Sequence, residues 1–256
     1  MLKRLTEADQ ANLPIADIRI ADENGVPDYL RRHYWWAYIH PSAVRFFDRP
    51  WLINLILLGN YKRLRDAALA EFKNAPCGNV LQLACVYGDL TSRLTRLIAA
   101  VHGQIDIVDI LPIQLKNMKW KLPGRSSARL ICMDSTELSL PEASYDWVML
   151  FFLLHEQPAH ARARTLAEAF RVVKPGGKIL IMDYARPRWW NPLRYLLRLP
   201  LAVLEPFALD LWRDDIAAWF PLLTKPAPIK RETFFGGFYQ KVVVTRPEVE
   251  TPPSGI

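Results

Sequence analysis

Cysteine is scarce in this sequence: Cys77, Cys85 and Cys132 are the only three in 256 residues. They are too few and too scattered for a disulfide framework or a zinc cluster, and a reducing compartment fits best. Glycine is sparse too, with 11 residues, and no Gly-x-Gly-x-x-Gly appears. A nicotinamide enzyme needs those glycines to bring its backbone against a pyrophosphate, so that class is excluded. No run of apolar residues approaches the roughly 20 that a spanning helix requires. The first ten residues, MLKRLTEADQ, turn polar at once and hold no apolar signal core. No long low-complexity tract is present, which excludes bulk disorder.

What is present is an apolar half, 51% of residues, enough for one large domain or one domain with an insertion. The net charge of +7 is unevenly placed. Residues 29–65 carry seven Lys and Arg against one acid, Asp48, and residues 184–204 carry Arg186, Arg188, Arg194 and Arg198 against none. Trp35, Trp36, Trp51, Trp189, Trp190, Trp212 and Trp219 fall in or beside these zones. Cations and indoles on apolar segments such as WLINLILL and LLRLPLAVL suit an anionic membrane surface. A nucleic-acid face would interleave its cations with polar residues instead, so no nucleic-acid partner is expected. The competing reading is two amphipathic helical pieces packed on a core, their arginines solvated.

The middle of the chain alternates strand and helix. Strands are expected at Val80–Ala84, Gln104–Asp109, Ala128–Met133, Tyr145–Phe152 and Lys178–Asp183, with helices over 90–101, 112–120 and 158–173. Lys174-Pro175-Gly176-Gly177 reads as a helix stop. This repetition predicts a mostly parallel sheet covered by helices. Residues 1–70 read as an N-terminal helical cap, 71–184 with 225–246 as the Rossmann-like core, 185–224 as a helical lid broken by prolines, and 247–256 as a disordered tail. Two last strands are expected around Gly236-Gly237.

Ligands of open parallel sheets sit beyond the carboxyl ends of the strands. After the first strand comes Cys85-Val86-Tyr87-Gly88-Asp89. After the second comes Asp109, 21 residues beyond Gly88, where a carboxylate can accept from both hydroxyls of a ribose, with Ile110 beside it. After the third come Asp134 and Ser135, placed for an adenine amino group. The expected ligand is a nucleoside without a pyrophosphate.

Four segments, VLQLACVYGDLT (80–91), IDIVDILPIQL (105–115), ARLICMDSTELSLPEASYDWVML (128–150) and FRVVKPGGKILIMDY (170–184), together resemble the class I S-adenosylmethionine-dependent methyltransferases. The resemblance implies an α/β fold, a seven-stranded mostly parallel sheet with a reversed last hairpin. It places Asp109 on the ribose and Asp134 at the adenine. One piece departs from the family pattern. Where the first loop usually reads acid-x-Gly-x-Gly-x-Gly, this chain has Gln82, Ala84, Val86 and Gly88. The usual carboxylate secures the methionine end of the cofactor, and a nearby carboxylate favours an ammonium ion over a free amine. Neutral Gln82 removes that bias and leaves a potential nucleophile; the alternative is that the loop has simply drifted.

The lead-in YLRRHYWWAYIHPSAVRFFDRPWLINLILLGNYKRLRDAAL, with LACVYGDLT and DIVDILPIQLKNM, is similar to the rhodoquinone biosynthesis family RquA over most of residues 27–245. That resemblance implies conversion of ubiquinone to rhodoquinone, a ring methoxy group exchanged for an amino group taken from S-adenosylmethionine, supported by Mn²⁺. It implies an enzyme, cytoplasmic and peripherally attached to the inner membrane (the matrix side in a mitochondrion), with other quinone-biosynthesis proteins as possible partners. The rivals are a conventional methyltransferase acting on a quinone or lipid, and a non-catalytic quinone- or cofactor-binding subunit.

Candidate catalytic residues are Gln82, Tyr87 and His155, the last a substrate-facing donor or base at the rim of the fourth strand. Asp89, His155, Glu156 and Asp183 are the candidate ligands for a hard ion. Adjacent residues rarely converge on one ion, so a His155/Glu156 chelate is not expected, and Asp89 reads better as a helix cap. Arg186-Pro187-Arg188-Trp189-Trp190 could line a quinone entrance or form a solvated loop.

Overall fold

The computed structural model describes residues 26–73, 78–123, 128–220 and 227–248. The expectations for residues 1–25, for Cys77, for part of the 185–224 segment and for the end of the tail lie outside them. The chain enters through a π-helical segment, Leu30–Ile39, followed by α1 (Pro41–Phe47), α2 (Pro50–Ile56) and α3 (Tyr61–Lys73). Pro41 and Pro50 begin their helices, where a missing N–H costs nothing. Then come β1 (Asn79–Leu83), α4 (Leu90–Ala100), β2 (Gln104–Asp109), α5 (Pro112–Lys121), β3 (Ala128–Cys132), β4 (Tyr145–Phe151), α6 (Ala159–Val172) and β5 (Val173–Tyr184). Short helices α7 (Leu193–Leu196), α8 (Arg198–Leu204) and α9 (Asp210–Arg213) precede the hairpin β6 (Ile229–Phe234) and β7 (Tyr239–Thr245).

The seven strands lie in the order β3-β2-β1-β4-β5-β7-β6. The first five pair in parallel, and β7 runs antiparallel to both β5 and β6. The expected α/β sheet with a reversed last hairpin is thus present. Helices cover both sides, and β1 and β4, central in the order, bury nearly every residue. On α4, Leu90, Leu94 and Ile98 follow a four-residue spacing and are buried.

One boundary differs from the sequence reading. Lys174–Gly177 does not separate helix from strand. Pairing begins at once, Val173 opposite Tyr145, with a register shift before Lys178 meets Trp147. Gly176, at φ +75°, turns its N–H to the Arg246 carbonyl at 2.9 Å. The glycines therefore shape an irregular strand start after the helix has already ended.

The switch in strand order, where β1 lies between β2 and β4, opens a crevice at the carboxyl ends of these strands. Gly88 stands beside it at φ +85°, and a Cβ there would lie 2.3 Å from the Tyr61 hydroxyl. That hydroxyl accepts from the N–H groups of Asp89 and Leu90 at the start of α4. Gly88→Ala should therefore cost about 1–2 kcal/mol from the left-handed backbone alone. Displacing Tyr61 adds to this, and thermal unfolding should show a Tm lowered by about 3–8 °C. An unchanged Tm would contradict this role for Gly88.

Candidate active site

Two cavities meet at the carboxyl ends of β1, β2 and β4. The narrower, about 60 Å³, is lined by Ala84, Cys85, Asp109, Ile110, Asp134 and Ser135, among others. Asp109 is fixed by two backbone donors, Cys85 N–H at 2.7 Å and Leu111 N–H at 2.8 Å. Burial raises its pKa to about 6, against the opposing pull of those donors. Asp134 accepts from Thr136 N–H at 2.8 Å, which orients it without using all its lone pairs. Gln157 donates to Ser135 and Thr165, while its Oε1 is buried with no hydrogen-bond partner. A buried, unmet acceptor beside Asp109 and Asp134 suits a ligand with a ribose and an exocyclic amine. Tyr29, Leu30 and Tyr38 of the lead-in line the same cavity.

The first loop holds its unusual residues in a defined order. Ala84 takes φ +68°, the conformation glycine adopts at no cost. Gln82 is fully buried and is not among the cavity-lining residues. Its Nε2 donates to the Ala84 carbonyl and to Thr91 Oγ1, both at 2.9 Å, and its Oε1 has no partner. A carboxylate there would face the Ala84 carbonyl with a second acceptor, so an amide fits the loop as it is folded. Gln82 acts on the cavity through Ala84 rather than by touching what fills it. Val86 and Tyr87 line the wider cavity instead. The Tyr87 hydroxyl donates to Ala37 O at 2.8 Å and accepts from Gln114 at 2.9 Å, so its ring forms a wall and its hydroxyl is tied. Gly88 N–H donates to Asp48, the lone acid of residues 29–65, which also pairs with Lys121.

The wider cavity, about 370 Å³, is mostly aromatic and aliphatic. Phe152 borders both cavities and adopts φ +55°, a rare conformation for a bulky residue. Its ring meets those of His155 and Tyr184 edge to face. His155 is buried, with Nδ1 3.0 Å from Asp183. Its Nε2 lies 3.9 Å from Glu156 and 3.8 Å from Glu205. Burial alone would lower the His155 pKa, but Asp183, with Glu205 and Glu156 nearby, pushes it up to about 9. Burial raises Glu156 to about 8 despite the His155 cation and the Tyr38 hydroxyl, which donates to it at 2.5 Å. Glu205 is raised for the same reason, and its Oε2 is buried and unpartnered. The cluster thus presents a protonated imidazole at neutral pH, a donor rather than a base.

The metal candidates do not form a set. Asp183 accepts from Leu154, His155 and Tyr184 N–H as well as from the ring. Asp89 is held by Arg65, Arg93 and Tyr61, and its pKa falls to about 2: burial opposes the fall and the guanidinium bonds outweigh it. Its side chain makes no cap bond to α4 either, and the Tyr61 hydroxyl accepts from the Leu90 N–H at the start of that helix. Among the described residues no group of three or more His, Cys, Asp or Glu can hold an ion. The residues present do not fit the expected Mn²⁺. Arg186–Trp190 are not among the residues that line the wider cavity. Sequence reasoning missed Glu205, Gln157, Tyr34 and Tyr38. A lone acid inside the apolar run LPLAVLEPF was the available signal for Glu205.

Residues 80–177 match the family model of a methyltransferase domain. The ubiquinone/menaquinone biosynthesis C-methyltransferase UbiE of Marinomonas sp. is 28% identical over 155 residues, 59% of this chain and 59% of that protein. The chain thus matches little more than half the length of that curated relative. The O-methyltransferase family protein of Burkholderia thailandensis superposes with TM-score 0.56 at 18% identity, over 83% of this chain and 62% of that one. The N-methyltransferase NodS of Bradyrhizobium japonicum gives TM-score 0.53 at 14% identity, over 73% and 97%. These likenesses share the fold described above. The match of residues 80–177 to a methyltransferase domain and the likeness in fold agree with the crevice described above.

Two measurements check the site. Asp109→Ala should weaken S-adenosylmethionine at least tenfold by calorimetry, since a bond to a charged group contributes about 1.5–3 kcal/mol. Wild-type binding should also weaken as pH falls below about 6, where Asp109 takes up its proton. For His155, the folded pKa lies above the unfolded value of about 6.5. Its stabilising contribution is therefore complete below pH 6.5 and lost as pH rises through about 9. The imidazole signal should titrate near 9 by NMR, and Asp183→Asn should lower that midpoint. A wild-type midpoint near 6.5 would contradict the pairing.

Proposed function

We propose that this chain converts ubiquinone to rhodoquinone, exchanging a ring methoxy group for an amino group that S-adenosylmethionine supplies. The observation that carries the reading is the aromatic cavity adjoining the nucleoside-type cavity, with Phe152 and Glu156 bordering both. A quinone ring is flat, apolar and edged with carbonyl oxygens. Phe152, Tyr87 and Tyr184 offer it walls, and protonated His155 offers a hydrogen bond that draws electron density from the ring toward a carbonyl oxygen. That polarisation favours nucleophilic attack at the ring carbon bearing the methoxy group. A C–N bond forms there, the C–O bond breaks, and the methoxy group leaves as methanol with one proton of the amine; the quinone then takes the α-proton and two electrons from the attached skeleton, and water hydrolyses the resulting imine, so that the N–Cα bond breaks to give an aminoquinol and an α-keto acid with no outside oxidant. Glu156 and Glu205, raised in pKa, are groups able to hold and pass that proton. No step is assigned to a metal ion.

Gln82 in place of the usual carboxylate supports amine transfer, because position 82 itself supplies no negative charge to keep an amine protonated. The resemblance of the lead-in to the rhodoquinone biosynthesis family supports it independently. Ile56, Leu58 and Leu204 line the wider cavity and are themselves exposed, so it opens onto the apolar surface that carries Trp51, Leu55 and Leu199. Among the described residues no helix is long and apolar enough to cross a membrane. This arrangement supports peripheral seating on an anionic bilayer, with the cavity mouth toward the quinone pool. The similarity to a quinone C-methyltransferase favours a second reading, methyl transfer to a quinone.

One incubation separates the two. The chain is given a short-tailed ubiquinone, Mn²⁺ and S-adenosylmethionine labelled with ¹⁵N at the amine and ¹³C at the methyl. Amine transfer puts ¹⁵N in the quinone and removes one methoxy group. Appearance of ¹³C without ¹⁵N would overturn the proposal in favour of methyl transfer, and an unlabelled quinone would overturn both.

A further inference from the structure

A third cavity, about 290 Å³, lies in the segment between β5 and β6, apart from the two described above. Arg186, Arg194, Arg198 and Arg213 line it, with Trp212 and Tyr195. Arg186, Arg194 and Arg198 make no ion pair with any described residue, and Arg213 has only Asp210 at 4.0 Å. Asp210 is itself shared with the buried guanidinium of Arg162 at 3.6 Å. The indole N–H of Trp212 is buried without an acceptor. Four cations around one space repel each other, and Arg194 and Arg198 sit four residues apart in consecutive helical turns. Among the described residues the long Arg213–Asp210 pair is the one ion pair that offsets that cost.

We propose that this cavity binds the phosphate of an anionic phospholipid headgroup. Guanidinium groups match phosphate with paired hydrogen bonds, and the unmet donor of Trp212 adds to an anion site. Leu196, Leu199 and Val203, on the same helical turns as the arginines, are exposed by 68%, 78% and 78%. A free phosphate ion has no use for such an apolar border, whereas a lipid places acyl carbon beside its phosphate. The site deepens the proposed bilayer seating and is independent of which group the enzyme transfers.

The test uses the full chain and three soluble probes, dihexanoyl phosphatidylglycerol below its micelle concentration, dihexanoyl phosphatidylcholine and inorganic phosphate, by titration calorimetry. Saturable binding of the phosphatidylglycerol is expected, weakened at least tenfold in Arg194→Gln/Arg198→Gln. It should be kept in Lys116→Gln/Lys119→Gln, which removes the same charge from α5. Inorganic phosphate at equal concentration should not displace the lipid. Equal loss in both variants would reduce the effect to net charge and overturn the site. So would full displacement by inorganic phosphate, which would mark a free-anion site, or equal binding of phosphatidylcholine. Turnover of a short-tailed ubiquinone in detergent is expected to be the same in Arg194→Gln/Arg198→Gln as in wild type, so a failure of the lipid site and a failure of the proposed chemistry read out separately.

Discussion

Asp183, at the carboxyl end of β5, has no exposure to solvent, and both of its oxygens are occupied by donors from the chain. Its backbone donors lie on the turn after β4 and on Tyr184, so this one carboxylate joins the ends of two neighbouring strands. Its charge makes a protonated His155 favourable in a place that burial alone would keep neutral. Burial, with that same charge adding to it, raises the pKa of Glu156 and of Glu205. Without Asp183 the imidazole loses both its orientation and its cation.

The lead-in depends on that arrangement and completes it. Tyr34 packs its hydroxyl 3.5 Å from the His155 carbonyl, Tyr38 donates to Glu156, and Tyr38 stacks on Tyr87 of the first loop. From the other side of the sheet end, Arg162, fully buried, donates to the carbonyls of Leu154, Gln157 and Phe207. It thereby fastens the turn bearing His155 to the segment bearing Glu205. Elements far apart in sequence thus reach one polar cluster, and each contributes an aromatic or aliphatic wall around it. A cavity made this way is dry on most sides, which strengthens the electrostatic effect of the imidazolium within it.

The sheet was legible because its signals are local. β4, Tyr145–Phe151, is a near-continuous apolar run of strand length, and Asp109 ends β2 at the spacing that a ribose site requires. The early start of β5 was not legible: Gly176 and Gly177 end a helix in most contexts, and only pairing with Tyr145 and the contact to Arg246 turn them into a strand. His155 stood out by its place after β4, but its charge state depends on Asp183, 28 residues on, and on Glu205, 50 residues on. Gln82 was conspicuous as a missing carboxylate. That its amide turns toward Ala84 and Thr91 instead of the cavity depends on a loop geometry that no pattern of residue types specifies.

The account stands on one spatial claim, that a nucleoside donor and a quinone ring occupy adjoining cavities that meet at Phe152 and Glu156. A crystal structure of the chain with S-adenosylhomocysteine and a short-tailed ubiquinone tests it most directly. The account predicts the ribose on Asp109, the adenine beside Asp134 and Gln157, and the quinone ring against Phe152 with one carbonyl oxygen facing His155 Nε2. A quinone bound away from His155, or a nucleoside outside the Asp109 crevice, would contradict it.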